Sequence, residues 1–233
     1  VGEQGDLKLP PLTALITDFP QEHIDPKHDP VEGMLGMELL NLFDVDFDFR
    51  AGRVRLYRAG KGAAVAAASG LLEVPAAVIN ETGLYAIRLA RPGMLQPVIA
   101  LVDCGSTFTA LNWKAAEILG LPPKQDTAYA KGPQVMAIGV DGRPLQLPTF
   151  QTQLTWTGNL QSTGFEPPPS VWKPWQAVSV AVGDLPVFAD ALGDGLNPYT
   201  GPAALLGLDV LGQRRFILET GQGRQRRLFV SPN

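Results

Sequence analysis

Apolar residues along this chain recur mostly with the two-residue period of β-strands, in short runs separated by Gly, Pro and charged residues. Val98-Ile99-Ala100-Leu101-Val102 is unbroken and predicts a strand covered on both faces. Phe43, Val45, Phe47 and Phe49 alternate with Asp44, Asp46 and Asp48, which predicts a strand with one wet face. Ala51-Gly52 turns that strand into a hairpin whose return ends at Tyr57. Residues 71–89 read as two or three short strands. Further strands are expected at 12–17, 135–138, 144–147, 150–156, 178–182, 186–188, 216–219 and 224–230. A short helix fits 113–119, closed by Gly120 and stopped by Pro122-Pro123. Residues 59–70, rich in Ala and Gly, read as a flexible linker.

The 233 residues suffice for one large all-β domain or two smaller lobes. Twenty-five Gly and 21 Pro favour many short strands over long helices. A net charge of −4 gives no reason to expect nucleic acid as a partner. The doublet Arg214-Arg215 and the cluster 224–227 read as wet strand faces. No apolar run has the length of a membrane span. Cys104 is the single cysteine, which excludes an intrachain disulfide and favours a reducing compartment such as cytosol or organelle stroma. His23, Asp25, His28 and Asp29 lack the spacing of a metal site, and Pro26 and Pro30 make a solvated loop of them. Asp44, Asp46 and Asp48 do not form a calcium loop, because Phe49 stands where such a loop needs Gly. No metal and no cofactor is implied.

The chemistry concentrates where the 98–102 strand ends. It delivers Asp103, then Cys104-Gly105-Ser106-Thr107. A carboxylate at the end of an apolar strand needs hydrogen-bond donors. Gly105 allows close backbone approach, and two hydroxyls follow. A second signal is internal repetition: Gly36, Glu38, Leu40 and Gly52 fall on Gly207, Asp209, Leu211 and Gly223 at one offset of 171 residues. Arg53 falls on Arg224 at the same offset, and a one-residue slip brings Leu56-Tyr57 onto Leu228-Phe229. Two related structural units follow from a repeat of that length.

Together, Asp103-Cys104-Gly105-Ser106 and Leu205-Leu206-Gly207 resemble the paired active-site segments of the aspartic protease superfamily, retropepsin-like and pepsin-like. The resemblance implies an all-β fold: an acid-protease-type β-barrel lobe with one or two short helices, preceded by the C-terminal part of a related lobe. The expected organisation is 1–58 for that first part, 59–70 for the linker and 71–233 for a complete lobe. The family's reaction hydrolyses peptide bonds with two aspartates that share a proton and activate water. Asp103 is then one catalytic member, supported by Cys104, Gly105, Ser106 and Thr107, with the Gly105 N–H and the Ser106 hydroxyl on its oxygens. Ile138, Gly139, Val140, Asp141 and Gly142 form the flap over substrate. Leu206 and Gly207, and their repeats Leu35 and Gly36, are core segments behind the site, and Asp209 is placed to cap a helix.

A peptide or protein substrate is the implied partner. The second aspartate must come from a missing N-terminal lobe segment or a homodimer partner, since no Asp-x-Gly follows a buried strand in 1–57. Cys104 replaces the family's Thr or Ser, so its brace across to the opposite lobe is weaker. The alternative is an inactive module that binds extended peptides by strand addition or assists assembly.

Overall fold

The computed structural model describes Pro11, Lys27, Asp29 and residues 13–16, 32–79, 82–138, 144–158, 164–220 and 226–233. In chain order the elements are α1 (Met37–Leu40), β1 (Phe43–Asp48), a 3-10 turn (Phe49–Ala51), β2 (Arg53–Arg58), α2 (Gly62–Ala68), β3 (Leu72–Val74), β4 (Ala76–Val78) and β5 (Tyr85–Ala90). Then follow β6 (Val98–Val102), β7 (Ala110–Leu111), α3 (Trp113–Ile118), α4 (Thr127–Lys131), β8 (Gln134–Ile138) and β9 (Pro144–Trp156). The chain finishes with β10 (Trp175–Val182), α5 (Pro186–Ala191), β11 (Ala203–Leu206), α6 (Leu208–Leu211), β12 (Phe216–Glu219) and β13 (Arg227–Val230).

These make the expected all-β fold. Strands β5-β6-β11-β7-β10-β9 close into a six-stranded barrel through the β5–β9 pairing, with β4 and β8 alongside. A second sheet runs β2-β1-β12-β13-β3. Strand β6 is buried on both faces, as its unbroken apolar run requires. Ala100 and Val102 point into the main core with Leu111 and Leu206, while Leu101 packs outward against Ala191 of α5.

The repeat is visible in the second sheet. Strand β1 pairs antiparallel with β12 in the register Val45 to Leu218, Asp46 to Ile217 and Phe47 to Phe216. Shifting either partner by the repeat offset of 171 reproduces the same pairs, so a local twofold passes through Asp46 and Ile217. The return strands keep step differently from the sequence alignment. Val45 pairs with Leu56, and its twin Phe216 pairs with Val230, so Leu56 corresponds to Val230 rather than Leu228. Gly223 and Arg224 lie outside the described residues.

The acidic face of β1 is not wet. Asp44 and Asp46 are both fully buried. Asp46 accepts from Arg215 Nε at 2.9 Å and Nη2 at 2.8 Å, with Arg55 at 3.3 Å. Asp44 accepts from the Lys61 and Gly62 N–H groups at 2.7 Å each and from the Thr220 N–H and hydroxyl at 2.8 Å each. Residues 59–70 are therefore no flexible linker. Helix α2 lies on this face, its Ala63 N–H donating to Glu219 at 2.8 Å. Ala66 packs with Leu71, Ile217 and Phe229. Small residues suit that close approach: a Cβ on Gly62 would lie 3.1 Å from Ile217 Cγ2.

Three further readings change. The 186–188 strand is the first turn of α5, with Pro186 supplying the fixed φ and missing N–H that suit a helix start. Six short α-helices are present among the described residues, more than the one or two expected. Arg214, Arg215, Arg226 and Arg227 are engaged rather than a wet face. Arg215 holds Asp46, Arg227 donates to Glu219 at 2.6 Å, and buried Arg214 stacks 4.0 Å from the Trp172 ring. Burial, with Arg50 nearby, lowers the Arg214 pKa to about 10. No described helix is long and apolar enough to cross a membrane.

Replacing Asp46 by Ala leaves Arg215 and Arg55 without their buried partner. The expected cost is about 3 kcal/mol, read as a shift in the urea midpoint. Asp48→Ala, at a half-buried position on the same strand, is expected to cost less than about 1 kcal/mol.

Candidate active site

Strand β11 is inserted between β6 and β7. It runs parallel to β6, with Leu205 opposite Leu101 and Leu206 opposite Val102, and antiparallel to β7. The chain from β6 to β7 must therefore arch over the end of β11, and residues 103–109 form that arch. The Asp103 N–H donates to the Leu206 carbonyl at 3.1 Å, extending the ladder by one rung. The Gly105 N–H donates to Asp103 Oδ1 at 2.9 Å. The Ser106 hydroxyl does not reach the carboxylate. It donates to the Phe108 carbonyl at 3.0 Å and stiffens the arch itself, because the loop turns it back along its own backbone.

The first turn of α6 locks the arch from below. Leu208 N–H donates to the Ser106 carbonyl at 2.8 Å, and Asp209 N–H to the Thr107 carbonyl at 3.2 Å. Gly207 N–H donates to Thr109 Oγ1 at 3.1 Å, and that hydroxyl donates on to Asp209 Oδ1 at 2.7 Å. Asp209 thus does not cap α6. Gly207 occupies the N-cap position, with extended backbone and no side-chain cap. Gly207 must be Gly for steric reasons: a Cβ there would sit 2.5 Å from the Phe108 carbonyl carbon and oxygen.

Thr109, fully buried, has no local signal that marks it as part of the site. Its partner lies 100 residues downstream. Burial raises the Asp209 pKa above the usual carboxyl range, against the opposing pull of the Thr109 hydrogen bond. Burial, followed by the neighbouring Asp103 charge, also raises the Cys104 thiol pKa and keeps it neutral at physiological pH.

The structure brings Asp103, Cys104, Gly105, Ser106 and Thr107 together with Leu206 and Gly207. Asp103 is half-buried, and no hydrogen bond joins it to a second carboxyl group among the described residues. Leu35 does not form a core behind the site. It is exposed ahead of α1, since no described segment packs over it. Gly36 is the N-cap of α1. In the hairpin expected to form a flap, β8 pairs with β9 out to Ile138 opposite Pro144, while Gly139, Val140, Asp141 and Gly142 lie outside the described residues. His23, Asp25 and His28 also lie outside them, and no group of three metal-ligating side chains occurs among the described residues. Two surface cavities, about 340 and 300 Å³, lie beside Trp113 and Phe188 and beside Trp175 and Arg214, and neither includes Asp103.

Gly207→Ala is expected to destabilise the chain by about 2 kcal/mol or more, because backbone and not a mobile side chain blocks the new methyl. Gly36→Ala meets only the flexible Glu38 carboxylate and should cost within about 1 kcal/mol, a contrast that parallel thermal melts will read. Cys104 should alkylate with iodoacetamide at a rate that rises only above the ordinary thiol pH range. Removing the adjacent charge with Asp103→Asn should move that rise to lower pH, while the burial contribution stays.

No protein-family model matches the chain, and no curated protein matches it. Among solved structures it is similar to a retropepsin-like aspartic protease from Rickettsia conorii. The identity is 15%, the match covers 69% of this chain and 90% of that one, and the TM-score is 0.36.

Proposed function

We propose that the arch at Asp103 is one half of an aspartic-peptidase site. In this reading Asp103 is one of two carboxylates that share a proton and hold a water for attack on a peptide carbonyl. One carboxylate takes the proton from the water, and the other protonates the carbonyl oxygen. The observation that carries the reading is the crossing itself: a carboxylate at the end of a doubly buried strand, oriented by the Gly105 N–H, on an arch that Gly207 can reach only without a side chain. Residues 1–58 belong to a first unit and 71–233 to the second.

The second carboxylate is better sought in a twin of the second unit than in a second copy of the chain. A twofold copy placed along β12 would need the edge that β1 already occupies. The substrate is an extended peptide, laid beside the β8–β9 hairpin.

A second reading, a binding module without catalysis, is favoured by one residue. Cys104 puts a neutral, weakly donating thiol where a hydroxyl would brace across to the opposite lobe. Incubation with a mixed peptide library at acid and neutral pH separates the two. The peptidase reading expects cleavage with both pH limbs set by carboxyl groups, falling by about 100-fold or more in Asp103→Asn. Peptide binding without cleavage, equal in both proteins, would establish the module instead.

A further inference from the structure

In a chain of net charge −4, one corner gathers positive charge with no acid to balance it among the described residues. There the 3-10 turn after β1, the start of β10 and the residues that follow α6 wall a cavity of about 300 Å³. Arg50, Lys173 and Arg214 line it, and no described Asp or Glu does. We propose that this cavity binds a small phosphate monoester, its dianion held by Arg50 and Lys173 at the rim and by the charge of Arg214 behind them. Asp103 lies outside the cavity, so the site is independent of the peptidase reading.

Arg214 is 7% exposed, and a cation at that depth ordinarily has a carboxylate beside it. None lies within ion-pair distance of it among the described residues. Its Nη1 donates to the Pro232 carbonyl at 3.0 Å and the Ser231 carbonyl at 3.4 Å, and its Nη2 to the Lys173 carbonyl. These bonds hold the guanidinium 4.0 Å from the Trp172 ring and 5.1 Å from the Trp175 ring. They satisfy its donors and leave its charge uncompensated. Burial, then the nearby Arg50, lowers the pKa to about 10, so Arg214 is still charged at neutral pH.

The surroundings are rich in donors and short of acceptors. Arg50 and Lys173 are exposed, and neither takes part in an ion pair among the described residues. The indole N–H groups of Trp172 and Trp175 are buried with no acceptor among those residues. Like charges gathered in a concave site with low-dielectric walls raise the local concentration of anions.

Charge and size set the ligand class. Three cations suit a phosphate monoester, which carries close to two negative charges at neutral pH, better than a single carboxylate. The volume is at the small end of ligand sites, which span roughly 300–1,000 Å³. Pro174 and Trp175 give the carbon part of such a molecule an apolar wall. A nucleic-acid strand needs a groove that tracks its backbone. The neighbouring cations do not extend the cavity into one, because Arg215 is held by Asp46 and Arg227 by Glu219.

Isothermal titration calorimetry on the 233-residue chain tests this with phenyl phosphate as the probe. One molecule per chain should bind with a Kd below about 1 mM at about 0.15 M ionic strength. Arg50→Gln with Lys173→Gln, both at exposed positions, should weaken binding by about tenfold or more while near-ultraviolet circular dichroism stays unchanged. Lys114→Gln, at the cavity beside Trp113 and Phe188, should leave the affinity as it is. Absence of binding overturns the proposal. So does an affinity that survives the double substitution or falls equally with Lys114→Gln, since the anion then sits elsewhere. Inorganic phosphate should bind more weakly than the ester, and equal binding overturns the ester in favour of the free ion. Citrate or benzoate binding as tightly as phenyl phosphate overturns it in favour of carboxylates. Oligothymidylates that bind more tightly with length overturn it in favour of nucleic acid.

Discussion

The close crossing of Gly207 beneath Phe108 is the constraint on which the barrel depends. Strand β11 enters between β6 and β7, two strands that are neighbours in sequence, so the link between them must bridge its end. A bridge of that kind exposes carbonyls in the protein interior, and each needs a donor. Helix α6 begins at that point, and its otherwise unused N–H groups fill the need. The arrangement works only if the two backbones approach without a side chain between them. Asp103 inherits its position from this geometry: the same ladder that seats Leu206 against Val102 continues one residue further and carries the carboxylate.

A second constraint sits on the far face of the other sheet. Asp44, Asp46 and Glu219 are buried there, and isolated charges at such depth would be prohibitive. Asp46 and Asp44 are compensated from parts of the chain away from β1, by Arg215 and by the start of α2 with Thr220, and Glu219 by Arg227 across the β12–β13 hairpin. The row also sets register. A slip of one residue would turn the aspartates into the apolar core and Val45 and Phe47 out of it. Helix α2 closes this layer with small side chains, and its leading N–H groups are satisfied by carboxylates that belong to other strands.

The local twofold through Asp46 and Ile217 gives the molecule two nearly equivalent surfaces in different states. Leu35 and Leu206 occupy corresponding places, yet one is exposed and the other sealed. Their difference belongs to the neighbours, because the backbone around the two glycines is the same. A repeat in sequence thus predicts shape, while the packing around each copy decides whether that shape forms core or surface.

Much of the architecture was legible in the residues themselves. Period-two patterning located nearly all the strands, the unbroken run 98–102 announced burial on both faces, and the repeat of Gly36 at Gly207 reappears in the matched N-cap backbones of α1 and α6. The Asp103 loop and its partner segment were legible as well, because both carry local steric requirements that few residues meet. What the chain order concealed were partnerships across long separations: Thr109 with Asp209, Asp46 with Arg215, and Asp44 with the start of α2. The acidic row therefore reads as wet and residues 59–70 as loose when each is viewed alone. Side-chain type and spacing determine which backbone forms, since those preferences act over a few residues. Tertiary structure alone decides which polar groups are buried, since that depends on what another part of the chain brings against them.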